Sequence, residues 1–178
     1  MALLEISSTE QQDIKDKVSK EPDWYVNQYK NVWYVIQRHK RYGHYCGYIG
    51  LPCSIDLPIG QYDEHGHEII EKLHSPYYNQ YRLDMVTVHG GVTYHGNPTG
   101  FNTNPNINLD WIGFDCAHSS DYALSQDDDT TWMGKPRTYK TLEYCKNECQ
   151  SVIEQYYKEL EVQVDSEYKN RKNAFKSI

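Results

Sequence analysis

Long apolar runs are missing from this chain. No stretch approaches the roughly 20 consecutive apolar residues that span a bilayer, and the mean hydropathy is -0.83. The polar, charged opening Met1–Lys20 also lacks the apolar segment of a secretory leader, so the protein is expected to be cytoplasmic and not at a membrane. A positive excess is missing too: 18 Lys and Arg stand against 25 Asp and Glu, a formal charge of -7. No global field then draws the chain onto duplex nucleic acid or an acidic membrane, although a local basic pocket remains compatible with that balance. The five cysteines, Cys46, Cys53, Cys116, Cys145 and Cys149, form no C-x-x-C pair and no even framework, which points to reduced thiols. Phenylalanine is scarce, 3 residues, whereas tyrosine occurs 17 times, so most rings carry a hydroxyl that needs a partner when buried. That suits a wet pocket or an interface, or simply a tyrosine-rich surface.

At 178 residues the chain fits one domain, 1–178, large enough for a genuine core. Ser8-x-x-Gln11 reads as the cap of a short helix, halted at Glu21-Pro22 because the residue before proline avoids helical dihedrals. Residues 1–22 thus make a peripheral helix. Val32–Ile36 and His44–Pro52 read as a strand pair around a charged turn, Arg38–Gly43. Gly47 and Gly50 interrupt the second strand, most simply to admit bulky neighbours. Residues 53–66, with Pro58 and Gly60, read as a loop, and Glu68–Leu73 as a short helix closed before Pro76. Met85–Tyr94 and Asp110–Cys116 read as two more strands, separated by the polar loop Gly96–Asn108, which has the length of a functional flap. The acidic run Asp127-Asp128-Asp129 reads as a solvated loop.

From Thr138 to about Tyr157, Leu142, Cys145, Cys149, Val152, Ile153 and Tyr156 recur at three- and four-residue steps, the pattern of a helix with one buried face. Both thiols on that face are expected to pack as small apolar groups. Beyond Leu160 the charged residues 161–178 are expected to fray. The whole predicts an α+β fold: a small, mainly antiparallel sheet covered by a long C-terminal helix, with long polar loops.

Versatile side chains concentrate where two strands end, at Val88-His89-Gly90-Gly91-Val92-Thr93-Tyr94 and Trp111-Ile112-Gly113-Phe114-Asp115-Cys116-Ala117-His118-Ser119-Ser120-Asp121. Each begins as an apolar run and changes abruptly into glycine, histidine, aspartate and small residues, as core strands do at a cleft. Everything functional rests on these two bends lying side by side and opening onto a shared hollow.

Four blocks in one order resemble a family of mostly uncharacterised proteins of tailed bacteriophages. They are Cys46-Gly47-Tyr48-Ile49-Gly50-Leu51-Pro52, His89-Gly90-Gly91-Val92-Thr93-Tyr94, Trp111 through His118, and Tyr139-Lys140 through Glu148-Cys149. The resemblance covers roughly Val32 to Tyr157. It implies phage origin and an accessory, host-interacting role, and it brings no specific activity with it. The family pattern has Gly-Asp after the histidine where this chain has Ser119-Ser120-Asp121, so a tight glycine turn is not required there.

The residues leave several chemistries open. His89, Asp115, His118 and Asp121 are ligand types for a divalent metal, which would serve a hydrolase acting on a nucleotide or phosphoester. The plainer alternative has Asp115 capping turn amides and His118 hydrogen-bonding to it, holding the strand end in place. Cys116 could act as a nucleophile activated by His89 or His118, with the Gly90-Gly91 amides as oxyanion hole, or could simply pack in the core. Binding without turnover is the leading expectation. Gly90-Gly91 would offer an anion nest, Thr93 a hydroxyl, Tyr94 a ring to stack on, and Arg38 or Arg41 the positive charge for a phosphorylated, nucleotide-like ligand. With phage origin, that ligand becomes a host immune signal, sequestered. A third class is an inhibitor that docks its tyrosine-rich surface and the Gly96–Asn108 loop on a host protein. A homo-oligomer with pockets between subunits is compatible with each.

Overall fold

The computed structural model describes residues 7–62, 65, 67–96, 109–124, 131–133 and 135–175. Helix α1 (Ser8–Lys20) is followed by strands β1 (Trp24–Tyr29), β2 (Val32–Arg38), β3 (Tyr45–Pro52), β4 (Ser54–Tyr62) and β5 (Glu68–His74). The short helix α2 (Gln80–Leu83), strands β6 (Tyr94–Gly96), β7 (Leu109–Asp115), β8 (Thr131–Trp132) and β9 (Lys135–Pro136), and helix α3 (Leu142–Phe175) complete the order. The main sheet runs β1-β2-β3-β7-β6, antiparallel throughout, and α3 lies across one face. The fold is therefore α+β, a mainly antiparallel five-stranded sheet with a long C-terminal helix.

Alternation along the strands decides which side chains meet α3. Val32, Tyr34 and Ile36 of β2, Tyr45, Ile49 and Leu51 of β3, and Ile112 and Phe114 of β7 share the core with α3 residues Cys145, Cys149, Val152, Ile153 and Tyr156, all five of which are 0% exposed. Glycine makes that packing feasible at the sheet centre. Gly47 is paired with Phe114, and a β-carbon on Gly47 would strike the Phe114 ring and stand 3.1 Å from Cys149 Sγ. Gly50, paired with Trp111, yields in the same way to the indole on the opposite face, at 2.8 Å.

Several expectations are corrected here. The N-cap is Ser7, one residue early, and it forms a capping box with Glu10. β1 escaped the sequence reading; it joins β2 through Lys30-Asn31, both at positive φ (48 and 64), the two-residue hairpin geometry usually met with Asn-Gly. Helix α3 clamps that turn: Glu154 accepts from Lys30 Nζ and from the Tyr29 hydroxyl, each at 2.6 Å, and the Tyr157 hydroxyl donates to Lys30 O at 2.6 Å.

Residues 54–62 are a strand, not a loop, and 68–74 are its partner rather than a helix; Ile55 pairs with Leu73, which is buried in the core. That cross-strand partnership outweighs the weak helical preference of Glu68–Leu73. The charged stretch past Leu160 does not fray but continues α3 to Phe175. The loop after Gly96 and the run Asp127-Asp128-Asp129 lie outside the described residues.

Met85–Tyr94 is not a strand either, apart from its last residue. Gly90 and Gly91 have φ of +65 and +87, two consecutive left-handed residues that turn the chain out of a regular ladder. The segment bonds instead to side chains of α3: Thr87 N donates to Gln155 Oε1 at 2.9 Å, His89 N donates to Glu148 Oε2 at 2.8 Å, and Gln155 Nε2 donates to Thr87 O at 2.7 Å.

Candidate functional site

The face of the sheet turned away from α3 carries Cys46 and Tyr48 of β3, Gly113 and Asp115 of β7, and Tyr94 of β6. Tyr48 and Tyr94 both stand in register with Gly113, one from each side, and their rings meet edge to face over it at 5.4 Å. A β-carbon on Gly113 would lie 2.8 Å from the Tyr48 ring, so this glycine is what lets the two rings close. Thr93 N donates to Gly113 O at 2.8 Å, which brings the Thr93-Tyr94 dipeptide against the sheet.

From the other side the β2–β3 turn contributes three stacked rings. His39 lies 4.9 Å from Tyr42 and 5.1 Å from His44, with interplanar angles of 20° and 8°. These groups, with Thr93, Asp115 and Ala117, line a hollow of about 530 Å³. That volume lies in the range of small-molecule sites.

The electrostatics of the hollow are simple. Burial, reinforced by the Asp115 charge, pushes the Cys46 thiol up to about 12. Burial likewise pushes the Tyr48 hydroxyl up to about 12, with Cys46 adding to it. Burial, then the nearby His39, holds His44 below the usual imidazole value, so it stays neutral at physiological pH. Asp115, 31% exposed, is the carboxylate among the described residues of this lining. Its Oδ1 accepts from Ala117 N at 3.1 Å, the capping role that the plainer reading anticipated, but the expected hydrogen bond from His118 is not formed, its Nε2 standing 4.0 Å from Oδ1.

The two bends do lie side by side. Gly90 is pressed against the His118 imidazole, and the His89 and His118 rings meet at 5.2 Å. The chemistry held there is structural in character. His89 is fastened at three points: its amide on Glu148, its Nδ1 2.9 Å from the Tyr144 hydroxyl, and its Nε2 donating to Asp121 Oδ2 at 2.7 Å. Asp121, with a side chain 0% exposed, also accepts from His118 N at 3.0 Å and has Lys140 Nζ at 3.7 Å. Burial alone would raise the Asp121 carboxyl, but the hydrogen bonds from His89 and His118 N, with the charges of His89 and Lys140, hold it below the usual carboxylate range.

The predicted site residues divide accordingly. Thr93, Tyr94 and Asp115 line the hollow, whereas His89, Gly90, Gly91 and His118 are not among its lining residues, so the paired-glycine bend itself does not open onto it as expected. Gly91 N donates to Val88 O at 2.9 Å, so the expected anion nest is half spent within its own turn. Arg38 is not a ligand-facing arginine. It is 7% exposed at the end of β2, donating to the Tyr45 hydroxyl at 2.6 Å, the Tyr139 hydroxyl at 2.8 Å, Asp23 at 3.0 Å and Gly43 O at 3.2 Å. Arg41 is exposed and stacks on Tyr42, a lining ring, at 5.3 Å.

Cys116 is corrected as a nucleophile. It is 1% exposed with Sγ 3.6 Å from Cys145 Sγ, and that hydrogen bond and burial push its thiol far above the usual range. The quartet His89, Asp115, His118 and Asp121 does not converge on a point. Among the described residues no group of three or more His, Cys, Asp or Glu could hold a metal ion, and both ring nitrogens of His89 are already engaged.

The sequence reading missed His39, Tyr42, His44, Cys46 and Tyr48 as lining. The signal was present in the two-residue spacing of Cys46 and Tyr48, which puts both on the face of Asp115 once β3 and β7 are paired. No protein-family model, curated protein or solved structure matches the chain. Among the described residues no helix is long and apolar enough to cross a membrane.

Proposed function

We propose that the hollow binds a nucleotide-like small molecule and holds it without turnover. A base stacks against the aromatic lining, the sugar lies near Thr93, and the phosphate reaches the exposed Lys40-Arg41 turn. The observation that supports this most is the joint presence of Tyr42, Tyr48, Tyr94, Thr93 and Asp115 around one hollow of nucleoside size. Stacking on such rings is worth about 1–3 kcal/mol per base and tolerates any base. Asp115 adds a hydrogen-bond acceptor, and a carboxylate aims at the N–H groups of a base, not at its phosphate. The phosphate-binding part of the reading rests on Arg41 beside Tyr42, since Arg38 is consumed within the fold.

Sequestration is favoured over hydrolysis because the groups suited to catalysis are otherwise employed. Cys116 is sealed in the core and His89 is locked between Tyr144 and Asp121. With the resemblance to tailed-phage proteins, the reading extends to an accessory protein that removes a host immune signal in the cytoplasm of an infected cell; that step is analogy. Calorimetric titration with nucleoside monophosphates tests the site. The proposal expects saturable binding that Tyr94→Ala weakens at least fivefold in a folded protein. Absence of binding to every nucleotide tried would reject it.

A further inference from the structure

We infer that the hollow is selective for guanine, with Asp115 reading the base edge; this rests on the nucleotide-binding reading above. The geometry that carries the inference is the fixed carboxylate. Asp115 sits on the last position of β7, in register with Cys46, and lines the hollow; its Oδ1 accepts from Ala117 N at 3.1 Å, with His118 Nε2 at 4.0 Å, so the carboxylate is held at the hollow's edge before any ligand arrives. A carboxylate only accepts, and its two oxygens offer about four lone-pair sites, so the tie to Ala117 leaves acceptor capacity on both oxygens.

The chemistry of the bases then sorts them. Guanine presents two adjacent donors, N1–H and the 2-amino group, spaced to match the two oxygens of one carboxylate. Adenine sets its 6-amino donor beside the N1 lone pair, and cytosine sets its 4-amino donor beside the N3 lone pair. In each of these the carboxylate would face an acceptor it cannot satisfy. Uracil has a single N3–H between two carbonyl oxygens. A polar group left unmatched where a ligand covers it loses its water without recompense, which is how hydrogen-bonding sites reject near-isosteres.

The surrounding groups do not offset that preference. Burial keeps the Cys46 thiol and the Tyr48 hydroxyl neutral beside Asp115, and the rings stack on any purine equally well. Among the described lining residues Asp115 is the one carboxylate, and purine selection is placed on it.

The test is calorimetric titration of the full chain with guanosine, inosine and adenosine monophosphates, repeated with Asp115→Asn. Asparagine keeps the carbonyl oxygen that Ala117 N requires, so the fold is retained, and a far-ultraviolet spectrum checks it. The inference expects at least tenfold tighter binding of the guanosine than of the adenosine nucleotide, with inosine, which lacks the 2-amino donor, between them. Asp115→Asn should bring the first two within threefold of each other. Guanosine and adenosine nucleotides bound within threefold by the wild type would overturn the guanine inference while leaving the binding site standing. If Asp115→Asn weakens both equally, the carboxylate holds the ribose and the inference is again lost. No binding of any of the three removes the underlying reading instead.

Discussion

Gly90 and His118 are packed so closely that no side chain fits between them: a β-carbon on Gly90 would fall inside the imidazole ring's van der Waals envelope. This contact joins the two bends whose neighbouring residues Thr93, Tyr94, Asp115 and Ala117 line the hollow. Gly91, the next residue, has open space where its side chain would be and is glycine only for its φ of +87. The two positions therefore separate sterics from backbone strain. Left-handed backbone costs an ordinary residue about 1–2 kcal/mol, and overpacking adds about 1–3 kcal/mol. Gly91→Ala should lose about 1 kcal/mol in urea denaturation and Gly90→Ala about 3 kcal/mol. Equal losses would show that His118 swings away freely.

Asp121 governs the acid limit of the contact between the two bends. Its carboxyl lies lower in the folded protein than in the unfolded chain, where an aspartate titrates near 3.9. The stability it supplies is therefore complete above about pH 5 and is lost as pH falls below about 4 through the folded-state value. Asp121→Asn should be less stable than wild type by about 3 kcal/mol at pH 7, since His89 loses a buried partner. The gap should narrow as pH drops below about 4, in denaturation curves taken from pH 7 to pH 3. A gap independent of pH would contradict the ion-pair account.

The thiols should be inert in the folded state. Cys116, Cys145 and Cys149 are 1%, 0% and 0% exposed, and Cys46, though nearer the hollow, is raised to about 12 by burial and Asp115. Iodoacetamide at pH 7 should leave Cys116, Cys145 and Cys149 unmodified by peptide mass spectrometry and should label all five cysteines after denaturation. Cys116→Ala should leave ligand affinity within twofold. Rapid native labelling of Cys116 would reopen the nucleophile.

The two arginines should behave oppositely. Arg38 bonds to tyrosines of β3 and of the segment before α3 and to the β2–β3 turn, so Arg38→Met should cost about 3 kcal/mol by thermal or urea unfolding. Arg38→Lys should rescue little, because an ammonium cannot reproduce the guanidinium fork. Arg41→Ala should leave stability unchanged while weakening a nucleoside monophosphate several-fold and the bare nucleoside hardly at all. A loss shared by both ligands would place the phosphate elsewhere.

These outcomes bear on what the sequence makes legible. β2, β3, β7 and α3 announce themselves because their apolar residues run in blocks or at helical steps, and burial simply follows the pattern. β1 does not, since Trp24 and Val26 are 43% and 44% exposed and only Tyr25 and Tyr29 turn toward the core. Val86, Val88 and Val92 mimic a strand's alternation, yet Gly90-Gly91 and the hydrogen bonds to Gln155 and Glu148 make the segment a bend strapped to α3. That dependence on partners some 60 residues away is invisible in a local reading. Juxtaposition of the two bends follows, in the sequence, from two expected strand ends, of which Met85–Tyr94 is not a strand; the bends meet instead through Gly90 against His118. The hollow's other half is not legible there, because it depends on β3 being the central strand and on the His39-Tyr42-His44 stack formed by the turn.

Mass spectrometry of what the protein carries tests the central claim most directly. The full chain is incubated with a nucleotide extract, washed, denatured, and its released small molecules are compared with those of a folded Tyr94→Ala, Asp115→Ala double variant. The account predicts an unaltered purine nucleotide from the wild type and none from the variant. Release of a cleaved product, or equal recovery from both proteins, would contradict it.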